Sequence, residues 1–234
     1  MRRRADARIA SQILHALGDA GTVLNVGAGT GSYEPSDRKV LAVEPSAVMI
    51  SQRISSVPCV QAAAESLPFR DAAFDAVMGV LTIHHWSHLE RGLTELKRVA
   101  RQRVVLFTWD PDFDERFWLT RDYLPQILEI DRARYPRLAD LERSLGPLRI
   151  APVPIPADCT DGFRSAYWKR PEAYLDPEVR QSISAFAALE PATVDRFVAQ
   201  LAADLQSGVW ASRNPEVASS GTLDTGCRIV TSPS

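Results

Sequence analysis

The chain has 234 residues, enough for one large domain or a domain carrying a substantial insertion. With 45% hydrophobic residues and a formal net charge of −2, it can bury a real core and has no global basic field to attract nucleic acid. No apolar run approaches the roughly 20 residues of a membrane-spanning helix, and residues 1–20 lack the continuous apolar stretch of a secretory signal. Cys59, Cys159 and Cys227 are too few and too scattered for a disulfide framework or a CxxC metal site. The composition therefore predicts a cytoplasmic protein with free thiols, without a metal, membrane or nucleic-acid partner. Arg2, Arg3 and Arg4 read as a solvated terminus.

Residues 8–18 place Ile9, Ile13, Leu14 and Leu17 on one helical face and stop at Gly18 and Gly21. Residues 22–26 form a short apolar run suited to a buried parallel strand, and residues 39–43 form a second. Between them Pro35 leaves room for about one helical turn. Residues 46–54 predict a helix capped by Ser46. Residues 59–61 and 75–81 are the third and fourth strands. Ser87 and Glu90 have the spacing of a capping box, and Leu89, Leu93, Leu96 and Val99 supply the apolar stripe of the helix behind it. Residues 103–109 are a fifth strand. Residues 113–140 are aromatic-rich and helical in pattern. Residues 148–155 read as an edge strand, because Pro152 and Pro154 would break a central ladder. Helical stretches fill 158–208, and 226–231 predicts a last strand returning to the sheet. Strands alternating with helices point to an α/β fold, a mostly parallel sheet with helices on both faces. Within a single domain, residues 1–112 read as the nucleotide-binding core. Residues 113–234 read as the remainder of the sheet with helical insertions.

Chemistry concentrates after the first strand. Gly27, Gly29 and Gly31 let the backbone turn tightly and approach a ligand where side chains would collide. The spacing is G-x-G-x-G; a dinucleotide fingerprint would want its third glycine at Ser32, which leaves less reason to expect a pyrophosphate. A plain turn is the alternative reading. Glu44 ends the second strand, where a carboxylate can accept both hydroxyls of a ribose or stand as an exposed charge.

Taken with Ala64-Glu65-Ser66-Leu67-Pro68-Phe69, Phe74-Asp75 and Leu81-Thr82-Ile83-His84-His85-Trp86, residues 23–32 and 42–46 resemble the class I S-adenosylmethionine-dependent methyltransferases. The likeness is to their small-molecule, type 11 group, and it runs from about residue 22 to 109. It implies a Rossmann-like, doubly wound, mostly parallel seven-stranded sheet with helical insertions forming a substrate cap. The implied cofactor is S-adenosylmethionine, released as S-adenosylhomocysteine. Gly27, Ala28, Gly29, Thr30 and Gly31 would lie beneath its methionine and ribose. Glu44 would hold the ribose hydroxyls, Pro45 would pack near the adenine, and the backbone at Ala64 and Glu65 would meet the adenine edge. Val80 and Leu81 would line the methionine end. Asp75 either orients backbone at the start of the fourth strand or contacts ligand. Three departures stand out: Asn25 where the family often has an acid, Ala63 where many relatives carry an Asp for the adenine amino group, and a short stretch before Lys39.

Methyl transfer from a sulfonium needs in-line approach, so positioning supplies much of the catalysis. An oxygen or nitrogen acceptor also has to lose a proton, which His84 could take near neutral pH. The other reading makes His84, His85 and Trp86 packing and helix-entry residues. Trp109 follows the fifth strand at the ligand side of such sheets and, with Trp168, is expected to meet the acceptor. Most other aromatics of the second half fill a helical core. Arg164 or Lys169 could meet an acidic acceptor, or be solvated. The expected function is methyl transfer to a small molecule. The alternatives are a protein that binds the cofactor without transferring methyl, and a nicotinamide oxidoreductase, which fits the sheet but not the glycine spacing.

Overall fold

A computed structural model describes residues 4–113 and 117–233, so Arg2 and Arg3 of the basic start lie outside the described residues. The chain divides into two units. One comprises Ala7–Asp110, Tyr135–Val153 and Cys227–Ser234, the other Met1–Asp6, Pro111–Arg134 and Pro154–Gly226. The first begins with α1 (Ala7–Leu17), β1 (Thr22–Val26), β2 (Lys39–Val43), α2 (Ala47–Ser51), β3 (Cys59–Val60), β4 (Phe74–Val80), α3 (Leu89–Val99) and β5 (Ala100–Trp109). The chain then enters the second unit for α4 (Gln126–Arg134) and returns for α5 (Leu138–Leu145) and β6 (Arg149–Pro152). It leaves again for β7 (Ile155–Pro156), α6 (Pro177–Gln181), α7 (Pro191–Ser207), α8 (Val209–Arg213), α9 (Pro215–Ser219) and β8 (Thr222–Leu223), and comes back as β9 (Cys227–Pro233). Among the described residues no helix is long and apolar enough to cross a membrane.

The sheet of the first unit has seven strands in the order β3-β2-β1-β4-β5-β9-β6. β1 to β5 pair in parallel, and β9 runs antiparallel to both β5 and β6. This is the mostly parallel seven-stranded sheet expected from the sequence. The order reverses between β1 and β4, and in such sheets the ligand crevice opens at the carboxyl ends of the strands flanking the reversal. β1 is buried along Val23–Val26, as a strand covered on both faces must be. Leu24, Val26, Val77 and Leu106 share one cluster with Leu93, Leu96 and Val99 of α3 and Leu141 and Leu145 of α5. Burying each such side chain stabilises the fold by about 1.5–3 kcal/mol. α1 packs on β5 and β9 and buries Ile9, Ile13 and Leu17, spaced four apart on one face, before Gly18 (φ 59°) ends it.

The secondary structure departs from the sequence reading at the turn before β2, at the end of α2 and at the start of α3. No helical turn forms before β2, because Gly31 and Tyr33 both take positive φ (93° and 64°) and Pro35 restrains Glu34 away from helical backbone. α2 starts under the expected Ser46 cap, whose Oγ accepts from Met49 N at 3.3 Å, but it ends at Ser51. Beyond it Ile54 N donates to Thr30 O and draws the chain back to the glycine loop. The Ser87–Glu90 capping box is absent, since α3 begins only at Leu89 with His88 in the capping position and no side-chain cap. Glu65 instead accepts from His88 N at 3.1 Å.

In the second unit the aromatics make the core. Trp118 meets Tyr123, Tyr174 and Trp210 edge to face, and its Nε1 donates to Trp168 O at 2.8 Å. Arg164 and Lys169 are half-buried and bonded within the chain. Arg164 pairs with the buried Asp131, whose carboxyl burial pushes up despite the guanidinium, and Lys169 Nζ donates to Ser220 O.

Asp75 is a strand fastener. Its Oδ2 accepts from Thr22 N (2.9 Å) and Thr22 Oγ1 (2.8 Å), and its own N donates back to Thr22 Oγ1 (3.0 Å), locking the starts of β1 and β4. These bonds, with the Arg101 guanidinium, hold its carboxyl below the ordinary value of 3.8. A lowered folded-state pKa contributes stability that is complete above the unfolded value and lost as pH falls through the folded one. Asp75→Ala should therefore lose about 1–3 kcal/mol at neutral pH, with the gap to wild type closing below about pH 4. Denaturant unfolding of both proteins across pH checks this; a gap that persists unchanged in acid would contradict it.

Candidate active site

β1 ends at Val26 and the chain turns at once. Gly27 N and Ala28 N both donate to Val43 O at the end of β2 (2.8 and 3.0 Å), and Gly31 N closes the loop onto Ala28 O (2.9 Å). A Cβ on Gly27 would stand 1.9 Å from Thr82 Oγ1, and one on Gly31 would stand 2.6 Å from Ser55 Cβ. Both positions also have positive φ, so conformation and space each demand glycine there. Thr30 presents its carbonyl to Ile54 N.

Glu44 lies at the carboxyl end of β2 and is only 7% exposed. Its Oε2 accepts from Gly29 N at 2.8 Å and its Oε1 from Ser46 N at 3.0 Å. Two backbone donors fix the carboxylate, and each oxygen keeps a lone pair for a further hydroxyl donor. Pro45 beside it is exposed, with its carbonyl accepting from Gln61 Nε2. On α2, Val48 and Met49 are exposed apolar side chains, and Met49 Cε lies 3.4 Å from the position of a Cβ on Gly29. Ala64 is buried, while Glu65 spends its carboxylate on the entrance to α3.

Beneath the loop, Asn25 is buried and donates from Nδ2 to Glu34 Oε1 at 3.2 Å. Its Oδ1 has no hydrogen-bond partner among the described residues. Glu34 pairs with Arg53 through contacts of 2.7 and 2.9 Å, and Arg53 Nη1 also donates to Gly29 O at 3.1 Å.

After β4, half-buried Val80 leads to Leu81, whose φ of 48° is unusual for a residue with a side chain and costs on the order of 1–2 kcal/mol. Its N donates to Phe107 O at 2.7 Å, which holds the turn. Thr82 packs on Gly27, and the 3₁₀ turn Ile83–His85 follows. The His84 ring stacks on Tyr135 at 4.2 Å with 23° between planes, and His84 Nε2 lies 3.3 Å from Tyr135 Oη. Trp109, buried at the end of β5, meets the same Tyr135 edge-on at 5.3 Å.

The predicted residues thus gather into two linked groups: the glycine loop with Glu44, and His84 with Trp109. Trp168 is fully buried within the second unit, with Nε1 donating to Ile155 O (2.9 Å) and Pro156 O (3.2 Å). Residues missed in the sequence are Glu34, Met49, Arg53 and Tyr135. An apolar pair on a short polar-flanked helix was a signal for Met49; nothing local marks the other three.

The residues present suit an adenosyl amino acid. Glu44 offers a fixed carboxylate for ribose hydroxyls, the glycine loop offers bare backbone, and Asn25 Oδ1 is a buried acceptor still lacking a donor. The comparisons agree. A family model for the methyltransferase domain matches residues 24–108. A solved structure from Anabaena variabilis, described as a "putative methyltransferase from antibiotic biosynthesis pathway", is 34% identical and superposes with a TM-score of 0.90 over 98% of each chain. Among curated proteins, the "uncharacterized methyltransferase YcgJ" of Bacillus subtilis is 28% identical over 121 residues, 47% of this chain and 44% of that one. The "probable tRNA methyltransferase 9B" of Bos taurus is 26% identical over 121 residues, 48% of this chain and 27% of that one. The chain thus matches less than half the length of either curated relative. With the near-complete match to the Anabaena protein and the glycine loop fastened to Glu44, the chain belongs to the class I S-adenosylmethionine-dependent methyltransferases.

Proposed function

We propose that the protein methylates a small-molecule acceptor bound at the carboxyl ends of β4 and β5, with Glu44 holding the cofactor ribose and His84 taking the acceptor proton. The observation that carries the reading is the Glu44 carboxylate, fixed by Gly29 N and Ser46 N at the rim of the glycine loop. Bound S-adenosylmethionine supplies an already activated methyl group. The chain's task is then to hold, orient and exclude water. Gly27, Ala28, Gly29, Thr30 and Gly31 supply the floor, with Pro45, Met49, Ala64 and the backbone of Glu65 on the adenine side. Val80 and Leu81 line the methionine end.

With Tyr135 Oη against His84 Nε2, the imidazole is oriented, and Trp109 backs the same tyrosine. This aromatic wall favours a flat, partly apolar acceptor. A small acceptor is supported by the net charge of −2 and by the antibiotic-pathway description of the Anabaena relative. The match to the probable tRNA methyltransferase takes in only 27% of that protein. The three free cysteines accord with a reducing cytoplasm.

Calorimetric titration of S-adenosylmethionine should show Glu44→Ala weakened by about 1.5–3 kcal/mol, the worth of hydrogen bonds to a charged group. Equal affinity in the variant would remove Glu44 from the ribose site. Once screening for S-adenosylhomocysteine release has found an acceptor, His84→Gln should lower kcat by about 10²–10⁴-fold with cofactor affinity intact. Tyr135→Phe should lower it less and shift the pH profile. Full activity in His84→Gln would make the histidine a packing residue.

A further inference from the structure

Tyr33 is held in a backbone conformation that its side chain makes costly. Its φ is 64°, in the left-handed region that glycine enters freely and a bulky residue enters rarely. Strain of this kind persists only where the surroundings fix it, and it gathers at binding sites. Tyr33 is 6% exposed, and its ring meets Phe107 at 6.2 Å with 66° between planes. Phe107 in turn stands in register with Val80 across β4 and β5, and registered neighbours project from the same face of a sheet. The Tyr33 ring therefore lies on the face that carries Val80, near the carboxyl ends of these strands. Leu81, with φ 48° and its N on Phe107 O, completes the corner. Two strained residues thus flank one phenylalanine. Val80 and Leu81 are only half-buried, which leaves the corner open to a ligand.

We propose that the Tyr33 ring is a wall of the cofactor site that faces the sulfonium and reads its positive charge. The inference rests on the cofactor reading above, in which Val80 and Leu81 line the methionine end. The face of an aromatic ring is negative and attracts a cation, the more so away from water. An edge-on contact lets Phe107 cover at most one face of the tyrosine. Methyl transfer removes the charge that the ring reads. The acceptor's electron pair bonds the methyl carbon, the carbon–sulfur bond breaks, and its electrons stay on sulfur as a neutral thioether. The attraction ends with the reaction. Tyr33 thus favours the charged cofactor over the neutral product and promotes the exchange of one for the other.

The probes are S-adenosylmethionine and S-adenosylhomocysteine, which differ by the methyl group and its charge, each titrated into the full-length protein. Tyr33→Leu should bind S-adenosylmethionine about fivefold or more weaker, and S-adenosylhomocysteine within about twofold of wild type. Tyr33→Phe keeps the ring and should hold both ligands within about twofold. A second series preserves the shape of the side chain as well. Replacing Tyr33 by phenylalanine, then by its monofluorinated and trifluorinated forms, withdraws electrons from the ring face in steps. S-adenosylmethionine affinity should fall in that order while S-adenosylhomocysteine affinity stays level. Thermal unfolding of each variant verifies that it is folded. Equal losses for both ligands in Tyr33→Leu would overturn the inference and reduce the ring to a support of the loop. So would unchanged S-adenosylmethionine binding in that variant, or a flat response across the fluorinated series. If wild type binds neither ligand, the cofactor reading itself fails, and this inference with it.

Discussion

The carboxylate of Glu44 accepts from Gly29 N through one oxygen and from Ser46 N through the other, and the geometry of the site hangs on that pair of hydrogen bonds. A glycine loop left to itself would sample many conformations, because each glycine loses more backbone freedom on ordering than any other residue. Here the loop is tied at its start by Val43 O and at its middle by Glu44, both from the end of β2. The parallel pairing of β1 with β2 thereby sets where the loop stands, and Thr82 closing on Gly27 brings the end of β4 to the same place.

What holds the far side of the loop is a buried ion pair. In many nucleotide-binding sheets a helix follows the glycines and offers its N-terminus to the ligand. Between Gly31 and β2 this chain has only turns, and the space is taken by Glu34, Arg53 and Ile54, all bonded to the loop or to one another. A buried pair of this kind is weak evidence for net stability, but removing one partner costs about 3–5 kcal/mol because the other charge is left stranded. Its value lies in direction. A guanidinium fork and a carboxylate fix an orientation where a short apolar plug would only fill volume.

Much of this was legible in the sequence. The five parallel strands were read within a few residues of their ends, because continuous apolar runs between glycine, proline and polar breaks leave little else for them to be. The loop and Glu44 were legible because glycine spacing and a strand-terminal acid are local features. Ser87 and Glu90 misled, since a capping box depends on where the helix starts, and the turn Ile83–His85 delays that start to Leu89. Arg53 and Tyr135 were invisible for a different reason. Each meets its partner across a separation of 19 or 51 residues, and the contact exists only after the sheet has brought the segments together. Trp168 poses the reverse difficulty. An aromatic in an insertion can line a ligand or fill a core, and here two carbonyls claim its Nε1.

The most direct test is a crystal structure of the complex with S-adenosylhomocysteine. The account requires the ribose hydroxyls on the Glu44 carboxylate, the glycine loop beneath the amino-acid end, and Glu44 still held by Gly29 N and Ser46 N. A ribose bound elsewhere, with Glu44 bonded only to those two backbone groups, would contradict it.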